Sequence, residues 1–188
     1  ESIDMSATVP VLKIKQSNGG IHENDAFILF DAGGATLGRI DVNAGENGVD
    51  HASLPPSIKF NTAAADYAEK LAKQDPAEEI ESGDLVGVFN GKISKDTQNA
   101  DRIMIVSRAP GFVGNDYEAL GPSEPVVFLG QIRIKVEGVV QSGDYIIPAG
   151  RNDGVGMAIS PDKITPEQMR WVAGQAWEAS NDTNAKFL

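Results

Sequence analysis

Asp66 and Glu69 stand three residues apart in the run Ala64-Ala65-Asp66-Tyr67-Ala68-Glu69. On a helix that spacing turns both carboxylates to one side, close enough to share a proton, and paired carboxylates of this kind carry acid–base hydrolysis. The same spacing also suits a solvated helix face on which Glu69, Lys70 and Lys73 meet water. Either way the positioning element is a helix over Ala63 to Lys73. Thr62 offers an N-cap, Tyr67 and Leu71 lie four apart on one face, and Pro76 closes the segment.

Other chemistry-bearing residues give weaker patterns. His22 and His51 stand alone with no second ligand at metal spacing, so no metal centre is expected. The loop from Asp41 to Asp50 resembles a calcium loop but departs from it at three places: Gly45 at the fifth position, Glu46 at the sixth where glycine is required, and Ala52 at the twelfth. The glycine-rich stretches 33–38 and 150–156 neither open a helix nor contain Gly-Lys-Ser or Gly-Lys-Thr, and so read as turns rather than phosphate cradles. The Ser-Gly-Asp triplets at 82–84 and 142–144 lack the Gly-x-Ser-x-Gly surroundings of a nucleophile and read as turns before strands. No cofactor is implied.

Composition narrows the partners. The 188 residues carry a formal charge of -11, with 16 Lys and Arg against 27 Asp and Glu, which argues against nucleic acid because phosphate binding needs clustered cations. The absence of cysteine removes disulfides, thiolate metal sites and a cysteine nucleophile. No apolar run approaches the roughly 18 residues of a membrane span. The start, Glu1-Ser2-Ile3-Asp4, lacks an initiator Met and the marks of a secretion signal, and is expected to belong to a fragment or processed product.

Along the chain, 9–15 alternates as a strand before the turn 17–20, and further strands are expected at 26–31, at 36–42 and around Ile58 and Phe60, with 43–56 a loop. These strands are short, glycine-punctuated and poor in large apolar residues, so residues 1–60 alone bury too little to offset their chain entropy and are expected to pair with other chains. Beyond the linking helix comes a repeat: Glu81-Ser82-Gly83-Asp84-Leu85-Val86-Gly87-Val88 is echoed by Gln141-Ser142-Gly143-Asp144-Tyr145-Ile146-Ile147-Pro148. Each copy reads as turn then strand, followed by a later apolar strand at 103–106 or 172–177, which suggests a duplicated β-unit closed into a barrel or sandwich. Between the copies, Gln131 to Glu137 alternates strictly and is expected to be the clearest strand. Thr165 and Pro166 open a small helix reaching about Trp171. The fold class is therefore mainly β: fibre-like strands, a short linking helix, and a duplicated β-module with a small helix.

The ordered series Ala64-Ala65-Asp66-Tyr67-Ala68-Glu69, Glu81 to Val88, Ile105-Val106-Ser107, Phe128-Leu129-Gly130-Gln131-Ile132, Ser142 to Pro148 and Gly174-Gln175-Ala176-Trp177-Glu178 resembles the intramolecular-chaperone autoproteolytic domain, glutamic-peptidase-like, at the C-terminus of phage neck appendages and tail fibres. The resemblance covers about residue 61 to the end. It implies a homotrimer in which residues 61–188 form a chaperone and trimerisation module downstream of a fibre made by the same polypeptide, here residues 1–60. It also implies a virion or extracellular appendage location and continuation past Leu188 into a further apolar strand. Two alternatives follow: an autoprotease that cleaves its own chain near the boundary with Asp66 and Glu69, without acting on substrates in trans, and a fibre tip that binds a cell-surface glycan through Trp171, Trp177 or Tyr117. The two tryptophans equally suit a buried core.

Overall fold

In a computed structural model, residues 26–32, 35–43, 57–62, 66–116 and 120–188 are described. The chain divides into two compact units, 1–63 and 64–188. The strand expected at 9–15, both histidines, most of the loop 43–56 and Tyr117 lie outside the described residues.

The first unit contains an antiparallel meander, β1 (Ala26–Ala32), β2 (Ala35–Asn43) and β3 (Ser57–Thr62), in the order β1-β2-β3. The strands expected here from alternation are present. In the β2–β3 ladder Ile40 is in register with Phe60 and Val42 with Ile58.

The second unit holds three more small sheets. β4 (Tyr67–Ala72) lies between β8 (Phe112–Gly114), to which it runs parallel, and β9 (Ser123–Leu129), to which it runs antiparallel. β5 (Leu85–Phe89) is the centre of a second sheet, flanked by β6 (Lys92–Ser94) and β7 (Arg102–Ile105). The third has five strands: β10 (Lys135–Glu137), β11 (Tyr145–Pro148), β12 (Gly156–Ile159), β13 (Gly174–Gln175) and β14 (Lys186–Phe187), ordered β13-β11-β12-β10-β14. The one helix among the described residues, α1 (Pro166–Met169), has Thr165 as N-cap and a reciprocal capping box with Gln168, as the Thr-Pro signal predicts.

Two buried clusters hold this unit together. Leu85, Ile103, Val136, Val140 and Ile146 join β5 and β7 to the five-stranded sheet. Val86, Ile93, Met104, Val106 and Val126 pack the other face of β5 against β9. Because neighbours Leu85 and Val86 enter different clusters, β5 is covered on both faces and reads as a continuous apolar run. The architecture is mainly β, and among the described residues the sheets stay open rather than closing into a barrel.

Three expectations are corrected. The linking helix is a strand: residues 67–72 are β4, although Ala, Glu, Lys and Leu all favour helix. Ladders on both sides override that local preference, and Ala68, paired with Val113 and Val127, has no exposed surface. The strict alternation from Gln131 to Glu137 does not form one strand. The chain turns at Gly130 (φ 127°), leaves the β4 sheet, and rejoins a ladder only at Lys135, where it pairs with β12 and β14. Of the strand expected at 172–177, only Gly174–Gln175 pairs.

The duplicated turn is real at the level of main-chain bonds. Asp84 N–H donates to Glu81 O (3.1 Å) and Asp144 N–H to Gln141 O (3.1 Å). Glu81 N–H and Gln141 N–H each donate back to the Oδ2 of that aspartate at 2.8 Å. Gly83 (φ 82°) and Gly143 (φ 94°) hold the left-handed third position that only glycine takes without strain. Each turn is then clasped by one residue of a partner segment: Val106 by the first, Ala176 by the second.

Candidate functional site

β4 places the two acids differently from a helix. Residues three apart in extended chain point to opposite sides, so Asp66 and Glu69 do not share a face and the proton-sharing geometry that required a helix is not formed. Asp66, immediately before β4, is 6% exposed, and its buried Oδ2 has no hydrogen-bond partner. Its carbonyl accepts from Phe112 N–H at 3.1 Å, which fixes the start of the β4–β8 pairing.

Glu69 is engaged on the other side of the strand. Its Oε1 accepts from the Tyr67 hydroxyl at 2.8 Å and its Oε2 from the Asn115 side-chain amide at 3.1 Å. The bond to Glu69, then burial, then the nearby negative charge, raise the Tyr67 pKa and keep the phenol a donor. A Cβ at Gly114 would lie 3.0 Å from the Tyr67 oxygen and 3.1 Å from Glu69 Cγ, so this side of the sheet is filled at close contact. Lys70 pairs with Asp116 at 2.6 Å on the same loop. Glu69 thus works here as a brace between β4 and the loop after β8.

A second polar centre is built on the first Ser-Gly-Asp turn. Asp84 has no exposed surface; Lys135 Nζ donates to its Oδ1 at 2.7 Å and Lys95 Nζ lies 3.5 Å from its Oδ2. Lys135 also reaches Glu81 at 2.6 Å. Both carboxylate oxygens of Asp84 are occupied, so the cluster is a closed structural pin and leaves no lone pair aimed at a cavity.

Away from both centres, a cleft of about 490 Å³ lies between the β7 edge, the turn after β9 and the segment following β13. Its lining includes Arg102, Phe128, Gln131, Arg133, Trp177 and Glu178. Arg102 holds its guanidinium 5.8 Å from the Phe128 ring centroid, and among the described residues neither Arg102 nor Arg133 has a carboxylate partner. Trp177 is 73% exposed. Trp171, by contrast, lies half-buried against the larger apolar cluster, with Arg170 stacked at 4.4 Å. The Gly-rich 150–156 stretch is a turn in which Arg151 is tied to Glu137 and Asp153.

Sequence patterns pointed to Trp177 but not to Arg102, Gln131 or Arg133. These come together only because the chain breaks at Gly130, inside what looks like a continuous alternation. The glycine within Leu129-Gly130-Gln131 was the available signal for that break.

Among the described residues, no group of three or more His, Cys, Asp or Glu is placed to hold a metal ion, and no helix is long and apolar enough to cross a membrane. No protein-family model matches the chain, and no curated protein matches it. The crystal structure of the pre-mature bacteriophage phi29 gene product 12 is similar at 19% identity and a TM-score of 0.42, over 76% of this chain and 24% of that one; this chain therefore spans about a quarter of its length.

Proposed function

We propose that the chain is a structural module of a phage or bacterial appendage that works as a homotrimer: residues 64–188 bring three chains into register, and the weakly apolar strands of residues 1–63 continue as a fibre-like segment. The observation that carries this is the apolar surface of the β8-β4-β9 sheet. Phe112 is 57% exposed and Leu129 75%, and the two flank Tyr67 in register from the two sides. A contiguous apolar surface of this kind on a chain of net charge -11 marks a contact between proteins. A threefold arrangement suits a closed assembly of identical chains. The resemblance carried by the motif series from Ala64 to Glu178 supports the same reading and a location at the surface of a virion or cell.

Light scattering on the purified chain tests it. The expected mass is three times 19.9 kDa. A monomer at micromolar concentration overturns the proposal, and Leu129→Asp is expected to shift a trimer towards monomer without unfolding it, because that side chain contributes little to the monomer's own core.

A second reading, self-cleavage near the boundary of the two units, draws on the buried, unpartnered oxygen of Asp66. Intact mass of a longer version of the chain would expose cleavage. Asp66→Asn or Glu69→Gln variants that still cleave would remove those residues from the chemistry.

A further inference from the structure

We propose that the cleft lined by Arg102, Arg133 and Trp177 binds a carboxylated sugar, such as a uronic or sialic acid unit of a surface polysaccharide. The reasoning starts from charge. In a chain with 27 acidic and 16 basic residues, Lys70, Lys73, Lys95, Lys135 and Arg151 of the second unit hold carboxylates, and the other cations described there do not. Of those unpaired cations, Arg102 and Arg133 are set apart because both line one cleft. Two unneutralised guanidinium groups facing one space form a site for an anion, and their planar donor forks match a carboxylate in two-point fashion.

The remaining lining selects among anions. About 490 Å³ suits a ligand of two or three sugar rings rather than a polymer duplex. Trp177, 73% exposed at the cleft, offers a flat apolar face on which the C–H side of a pyranose can lie, while its indole N–H remains a donor. Gln131 contributes an amide able both to donate to and accept from vicinal hydroxyls, and Glu178 adds an acceptor for a hydroxyl proton. Glu178 also opposes a second negative charge, which favours one carboxylate per binding unit over a polyphosphate. The Arg102 guanidinium already rests over Phe128, so its orientation is held before ligand arrives. Every side chain of this site belongs to one chain; Leu129, which the trimer reading places in the contact, also lines the cleft, and occupancy can be measured whatever the assembly state.

The test is calorimetric titration of the full chain, in its native assembly state, with oligogalacturonate, sialyl-lactose and a hyaluronan tetrasaccharide, each compared with its neutral carboxyl methyl ester. The expected result is saturable binding of at least one acid, about tenfold or more weaker for its ester, and weakening as salt rises. Arg102→Gln with Arg133→Gln is expected to remove the preference for the acid. Trp177→Ala is expected to weaken acid and ester alike, since the stacking face is common to both. All three side chains are solvent-facing, and unchanged thermal melting of the variants separates lost binding from lost folding. Absence of saturable binding by all three acids, equal binding of acid and ester, or equal binding of a tetraglutamate peptide would each overturn the proposal.

Discussion

The two Ser-Gly-Asp turns share a backbone and differ in everything that touches it. At 81–84 and at 141–144 the same four main-chain and side-chain hydrogen bonds recur within about 0.1 Å, down to the clasp on Val106 in one and Ala176 in the other. Yet Asp84 is wholly buried and held by Lys135 and Lys95, while Asp144 is half-buried and, among the described residues, has no ion pair. The turn itself is therefore a local product of Gly at a positive φ and an Asp that caps its own loop. The charge lock is added by whatever strand packs on it, here β10 bringing Lys135. In both copies the aspartate caps its own loop; in the first it also holds two lysines.

Removing each aspartate is the strongest way to break that comparison. Asp84→Ala leaves two lysines without their shared partner and a polar void at full burial, a loss of about 3–5 kcal/mol. Asp144→Ala removes one side-chain to main-chain bond at a partly open site, about 1 kcal/mol. Urea unfolding of both variants checks this, and equal losses would show that the ion pairs add nothing beyond the turn.

The glycines sharpen the difference in a smaller way. Gly83→Ala and Gly143→Ala both place a Cβ at a left-handed φ, costing about 1–2 kcal/mol each. At Gly143 the new methyl meets nothing within 4 Å, whereas at Gly83 it would lie 2.6 Å from Phe187 Cε1 and 3.3 Å from the Lys135 nitrogen. The first copy should lose about 1 kcal/mol more, through displacement of β14 against β10. If the two variants melt together, Phe187, which is 55% exposed, swings away freely and the packing around the first turn is looser than its contacts imply.

The same contrast explains what could be read from the sequence. The turns were legible because their determinants, Gly and Asp at fixed offsets, lie within four residues. β1, β2 and β3 were legible from alternation alone. β4 was not: Ala68, Glu69, Lys70 and Leu71 carry a helical preference, and the strands that override it, β8 and β9, arrive some 40 to 60 residues later in sequence. With that error went the proposed face shared by Asp66 and Glu69. The cleft was hidden for a related reason. Ile132, Ile134 and Val136 alternate as one strand would, and the departure at Gly130 that brings Gln131 and Arg133 beside Trp177 depends on β10 finding β12 and β14 in another sheet.

The finest distinction between the copies lies one residue before the serine, where the first turn has Glu81 and the second has Gln141. The hydrogen bond from Lys135 holds the Glu81 carboxyl below its ordinary value of 4.5. For Lys135, burial pulls downward, but the bonds to Asp84 and Glu81 together prevail and leave it above 10.5. A depressed carboxyl contributes stability that is present above its unfolded pKa and lost as pH falls through its folded value; a raised ammonium contributes stability that is present below its unfolded pKa and lost as pH rises through its folded value. The lock should therefore act across the range from about pH 4.5 to about 10.5 and weaken outside it. Glu81→Gln gives the first turn the residue of the second, and should lower the melting temperature slightly at neutral pH. The gap should close below pH 4.5, as the wild-type Glu81 itself becomes neutral. A gap that persists unchanged at pH 3 would mean that Glu81 acts through its shape rather than its charge, and the electrostatic difference between the turns would then rest on Asp84 and its two lysines alone.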